Sequence, residues 1–184
     1  MKHIHFIWQA FIVLSMMSAS WLHTETPDEC MRGRPYPVFS KNRSEISTHH
    51  FSLKSEHEAN ERVQLKAGAL IQIHHWGCEY YAITFKIESP DILKSSTSKE
   101  AAFRDAIAQL RNLKQLNADS IFDLSLAANT LEKAITNPSS VEFDQEFPVA
   151  GDGTDFLQTQ VKVDKAERHA QNGSIEITLF KGPL

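Results

Sequence analysis

The sequence predicts an α+β fold: an antiparallel sheet of about five to seven strands packed with one central αα-hairpin, in the order strands, two helices, strands. Three observations predict it. Apolar residues alternate with period two from His49 to Ile87. They recur at spacings of three and four from Phe103 to Ile135. Period two then returns from Phe156 to Leu179.

The elements follow in order. The opening MKHIHFIWQAFIVLSMMSAS has the layout of a secretory signal peptide. Lys2 gives a positive start, Phe6 to Met17 is apolar except for Gln9 and Ser15, and Ser18-Ala19-Ser20 offers a small-residue cleavage site. The apolar run is about a dozen residues, short of the roughly 20 that span a bilayer. Residues 1–20 are therefore read as a leader and 21–184 as a single domain with no membrane span after cleavage. The expected location is the periplasm or outside the cell.

Residues 21–43 read as an N-terminal arm. Pro35 and Pro37 lack backbone donors and fix φ, so the arm is extended or irregular, leaving room for an edge strand around Val38 and Phe39. Arg32, Arg34, Lys41 and Arg43 form a basic cluster there, read as a solvated segment. Cys30 and Cys78 are the only cysteines, and in an exported chain they predict a disulfide. Closing so long a loop stabilises by about 4 kcal/mol in the chain-entropy model.

His49, Phe51 and Leu53 share one face of a strand. Ser55 to Glu61 reads as an acidic loop, Val63 and Leu65 as a short extended piece, and Lys66-Ala67-Gly68 as a turn. Ala69 to His75 and Glu79 to Ile87 then form a hairpin, which Ser89-Pro90 ends. Its parity is informative. Ile71 and Ile73 share a face, as do Tyr81, Ile83 and Phe85. Both sets reach one core only if the loop holds an odd number of residues, because a one-residue slip flips every side chain. A three-residue turn, Trp76-Gly77-Cys78, is expected, with Gly77 supplying the permissive backbone. The same parity puts His74 and His75 on opposite faces.

The middle is helical. Thr97 and Glu100 fit a capping box, and Phe103, Ala106, Ile107, Leu110 and Leu113 form one stripe. A second helix is expected from Asp119 or Ser120, with stripe Ile121, Leu124, Ala128, Leu131 and Ile135, stopped by Asn137-Pro138. Strands resume around Val141, Phe143, Phe147 and Val149. After a turn at Gly151-Asp152-Gly153 they continue through Phe156 to Val163. Asn172-Gly173 is the next turn signal, and Ile175, Ile177 and Leu179 alternate in a closing strand with Phe180 on its other face.

Composition and motifs narrow the function. The leader holds one of the 19 basic residues and none of the 23 acidic ones, leaving 18 against 23 and a net charge of −5. Mild acidity argues against nucleic-acid binding. No Gly-x-Ser-x-Gly, His-Glu-x-x-His or phosphate-binding glycine loop occurs, so no catalytic residue is assigned. A glycosidase needs only two carboxylates, and Glu79, Asp144, Glu146, Asp152 and Asp155 supply candidates. His49, His50, His57, His74 and His75 make a histidine-rich β region, with His50 and His74 on one outer face if their strands are neighbours. Their spacing matches no zinc motif, so no metal ligand or cofactor is assigned. The sequons at Asn42 and Asn172 bear only on a eukaryotic secretory pathway.

Binding remains. Trp76, Tyr80 and His74 flank the disulfide-pinned hairpin end and are the candidate recognition residues. The expected activity is that of an exported binding protein, an inhibitor or immunity-type partner of an envelope enzyme. The alternatives are an envelope hydrolase or metal-binding protein using the histidine-rich region, and a small-ligand protein binding between sheet and helical hairpin.

Overall fold

The computed structural model describes residues 30, 33–40, 43–116, 118–136, 141–150 and 158–182. Strands β1 (Ile46–Leu53), β2 (Ala59–Leu65), β3 (Leu70–Trp76) and β4 (Tyr81–Ser89) precede helices α1 (Lys99–Gln115) and α2 (Leu124–Ala134). Strands β5 (Phe147–Pro148), β6 (Thr159–His169) and β7 (Asn172–Lys181) follow. All seven form one antiparallel sheet in the order β1-β2-β3-β4-β7-β6-β5. The expected α+β class, strand number and central helix pair are all present. The leader, Arg32, Lys41, the Gly151–Gly153 turn and Asn137-Pro138 lie outside the described residues.

One face of the sheet builds the core. Ile71, Ile73, Ile83, Phe85, Ile87, Val161, Val163, Ile175, Ile177 and Leu179 are all buried against the helix pair. From α1 come Phe103, Ala106, Ile107, Leu110 and Leu113; from α2 come Leu124, Ala127, Ala128 and Leu131. Both helices pack on β6, with α1 also against β7 and α2 against β5. Among the described residues the opposite face of the sheet carries no helix, and it is polar, with Gln72, His74, Thr84, Lys86 and Glu176 upon it.

Parity in the β3–β4 hairpin is as expected, but the register is not that of a three-residue turn. Ile73 pairs with Phe85 and Ile71 with Ile87, so the odd-numbered loop spans residues 77–81. The longer loop accommodates the Cys78 bridge, and Gly77 adopts φ 102° within it. The expected acidic loop ends earlier than predicted: β2 begins at Ala59, and Glu61 sits inside it.

The helix starts also shift. Ser98, not Thr97, caps α1, its hydroxyl accepting from the Ala101 N–H, while Glu100 pairs with Arg104 at 2.7 Å. Asp123 caps α2 by accepting from the N–H groups of Ser125 and Leu126. The segment before it is not helical, so Ile121 is exposed and its neighbour Phe122 fills the core. Of the strand expected from Val141 to Val149, only Phe147–Pro148 pairs, with Val161 and Gln160.

The Asn172-Gly173 pair is not the turn. His169 pairs with Asn172, so Ala170-Gln171 form it, and Ala170 takes the positive φ of 44°. Gly173 lies within β7 for a different reason: a Cβ there would overlap the Ile92 carbonyl. The same carbonyl, with that of Pro90, accepts from Arg168 at 2.7 and 2.9 Å. These contacts dock the segment leading to α1 onto the β6–β7 hairpin. Gly173→Ala is expected to destabilise the fold by about 1–3 kcal/mol through overpacking against backbone, read as a lowered urea midpoint with unchanged slope.

Candidate functional site

The hairpin end is built by local constraints. Cys30 and Cys78 form a disulfide across 48 residues, with Cα atoms 5.0 Å apart, tying the arm to the loop. Gly77 and Gly182 both lie against Tyr80. A Cβ on Gly77 would meet the Tyr80 carbonyl, and one on Gly182 the Tyr80 Cβ. Tyr80 is thereby held with its ring half-exposed and perpendicular to Trp76, at an interplanar angle of 86° and a centroid distance of 5.6 Å.

Trp76 is held from its other side. Its indole N–H donates to Thr84 Oγ1 at 3.0 Å. Thr84 and Thr178 share a hydroxyl contact of 2.8 Å, and Thr178 donates to Asp164 at 2.7 Å. Because Asp164 accepts the Thr178 proton, Thr84 must donate to Thr178. The chain therefore runs one way, from the indole across β4 and β7 to a carboxylate on β6. Lys162 completes it, 2.7 Å from Asp164 and 3.0 Å from Asp144. A charge-terminated chain of this kind strengthens each bond in it. A β-bulge at Asp164, between the Val163 and Lys165 pairings, lets both Asp164 and Lys165 address the outer face, where Lys165 meets Glu176 at 3.3 Å.

These residues enclose a cleft of about 410 Å³ on the outer face. Trp76, Tyr80 and Phe180 supply its apolar walls, Glu79, Glu146, Lys162 and Thr178 its polar groups. His74, the third expected recognition residue, stands beside this cleft, stacked toward Trp76 at 6.3 Å and bonded to Glu58 at 3.0 Å. Phe180, Lys162 and Glu146 join the site from β7, β6 and the chain before β5. Even spacing from other outward residues was the sequence signal for Phe180 and Lys162, and Glu146 was named only as a candidate carboxylate. Of the other candidate carboxylates, Asp144 is taken by Lys162, and Asp152 and Asp155 lie outside the described residues.

The histidines divide as expected, with His75 buried on the core face and His74 exposed on the other. His50 and His74 are not on neighbouring strands; β2 lies between them, with Asn60 and Arg62 interposed. Among the described residues no group of three or more His, Cys, Asp and Glu side chains is placed to hold a metal ion.

A second feature went unseen in the sequence. Glu61 is buried on the core face of β2, with its side chain 0% exposed. Its Oε2 accepts from the Val38 N–H at 2.7 Å, and its Oε1 from the Phe39 N–H at 3.0 Å and His49 Nε2 at 2.7 Å. His75 Nε2 faces Oε2 at 3.8 Å, and His75 Nδ1 contacts the Tyr81 hydroxyl at 3.0 Å. The edge strand for which the sequence leaves room at Val38–Phe39 is replaced by this clamp: both residues are buried over the sheet face, and their N–H groups go to a carboxylate rather than to a ladder. Burial by itself raises the Glu61 pKa. The polar hydrogens of His75, Val38, Phe39 and His49 outweigh burial and hold it below its ordinary value near 4.5.

A third feature is a cleft of about 580 Å³ between α1 and strands β3 and β4, lined by Ile71, Ile87, Asp105, Asn112 and Leu113 among others. Asp105 is committed there, accepting from the Leu93 N–H at 2.7 Å.

The Glu61 carboxyl binds its proton less readily folded than unfolded. Its contribution is therefore complete above the unfolded value near 4.5 and is lost as pH falls through the lower folded value. Glu61→Gln is expected to cost about 3 kcal/mol at neutral pH, because an amide cannot accept all these donors. Urea denaturation across the acid range should show the variant losing less stability than the parent below pH 4.5.

Comparison of the chain with protein-family models, with curated proteins and with solved structures finds no match, so its function is argued from these residues.

Proposed function

We propose that this is an exported protein of the cell envelope that acts by binding a partner protein, as an inhibitor or immunity-type partner of an envelope enzyme. The observation that carries the reading is the preformed aromatic corner of Trp76 and Tyr80. Both rings are fixed before any partner arrives, one by the hydrogen-bond chain to Asp164 and one by two glycine contacts. Rigid, half-exposed aromatics beside a pocket are what a binding hot spot requires, since little side-chain entropy is lost on association. The leader-like opening and the Cys30–Cys78 bridge support export to an oxidising compartment. Among the described residues no helix is long and apolar enough to cross a membrane.

A small-ligand reading is favoured by the α1–β3–β4 cleft, whose walls combine apolar and amide groups. The two readings separate on Trp76, which lies on the opposite face of the sheet. Affinity capture from native envelope extract should recover one stoichiometric partner. Trp76→Ala should weaken that capture by tenfold or more, about 1.4 kcal/mol or above. Recovery of no partner, or equal recovery by the variant, contradicts the reading.

A further inference from the structure

The Trp76 cleft also has a chemistry that specifies what enters it. We infer that it takes a cationic side chain, arginine or lysine, presented by the partner protein; this rests on the binding function proposed above. Three observations point there. First, Trp76 and Tyr80 meet at 86°, so the cleft has two aromatic walls at a right angle. Aromatic rings attract cations through the ring quadrupole, and both rings line this one cleft.

Second, the lining charges are unequal in availability. Glu79 and Glu146 are exposed at the cleft and form no ion pair among the described residues. Lys162 is held at 2.7 and 3.0 Å by Asp164 and Asp144, so its charge is already offset twice. An incoming anion would meet two carboxylates and a neutralised lysine; an incoming cation meets two carboxylates that no cation among the described residues already pairs.

Third, the polar hydrogens of the site are already directed inward. The Trp76 N–H goes to Thr84 and the Thr178 hydroxyl to Asp164. The cleft is thus richer in acceptors and π faces than in donors, Lys162 keeping one ammonium hydrogen beyond its two carboxylate contacts, which favours an ammonium or a guanidinium over a carboxylate or phosphate.

The test uses capped tripeptides with arginine, lysine or glutamine at the centre. Each is titrated into the protein while the Trp76 indole N–H resonance is followed by NMR, assigned by its loss in Trp76→Phe. The arginine and lysine peptides should shift it saturably and the glutamine peptide should not. The paired substitution E79Q/E146Q should weaken the arginine peptide about tenfold, within the range of a desolvated cation–π site with charge support. Both positions are exposed, so an unchanged urea midpoint confirms that the variant is folded. Equal shifts by the glutamine peptide, undiminished binding by the paired variant, or a shift by a neutral oligosaccharide and by none of the peptides overturns the inference. Failure of the broader reading looks different. A partner captured equally by parent and E79Q/E146Q removes the cation but keeps the binding protein; saturable cationic peptides with no partner in extract do the reverse.

Discussion

The buried carboxylate of Glu61 organises one half of this molecule. A charge taken out of water costs several kcal/mol unless directed hydrogen bonds replace its hydration. Here two backbone N–H groups and His49 supply them, with His75 behind. The arrangement is reciprocal. Val38 and Phe39 sit in the core, where unpaired N–H groups would be equally costly, and the carboxylate is their acceptor. Val38 also accepts from the Asp119 N–H at 2.8 Å, so the arm bridges the sheet and the turn between the helices. The disulfide fixes the arm at a second point, at the β3–β4 loop.

The two faces of the sheet consequently have different roles. One is covered by helices and arm and closes a continuous apolar core. The other keeps its polar face open and is laced by charge pairs such as Lys86 with Glu88 and Glu176, at 3.6 and 3.9 Å. Exposed pairs of this kind add little stability. The aromatic corner at its end is the exception, and the hydrogen-bond chain from Trp76 to Asp164 couples that corner to four adjacent strands. Rigidity at the proposed recognition surface is therefore inherited from the sheet.

Much of the architecture was legible because period and parity are local properties. The alternation of Ile71, Ile73, Ile83 and Phe85 decided that the loop is odd, and split His74 from His75 correctly. It could not decide the loop's length, which depends on where Cys78 must stand to meet Cys30. Glu61 was hidden for a related reason. An acidic residue in an acidic run looks like a solvated loop, and its N–H donors lie 22 and 23 residues away on a segment whose only signal was that of an edge strand. Gly173 was misread because a glycine after asparagine signals a turn, whereas its requirement comes from Ile92, far off in the chain. In the site, Trp76 and Tyr80 were visible as a local pair. Phe180 and Lys162 were not, since only the pairing of β4 with β7 and β7 with β6 brings them there, and Glu146, named as a carboxylate, arrives through the pairing of β5 with β6.

The central claim is that a buried carboxylate, rather than strand pairing, holds the arm to the sheet. Native-state hydrogen exchange at the Val38 and Phe39 amides tests it most directly. The account predicts that both exchange as slowly as amides of the central strand β4, opening only with global unfolding. Exchange of both amides at the rate of an exposed loop, with β4 still protected, would contradict it.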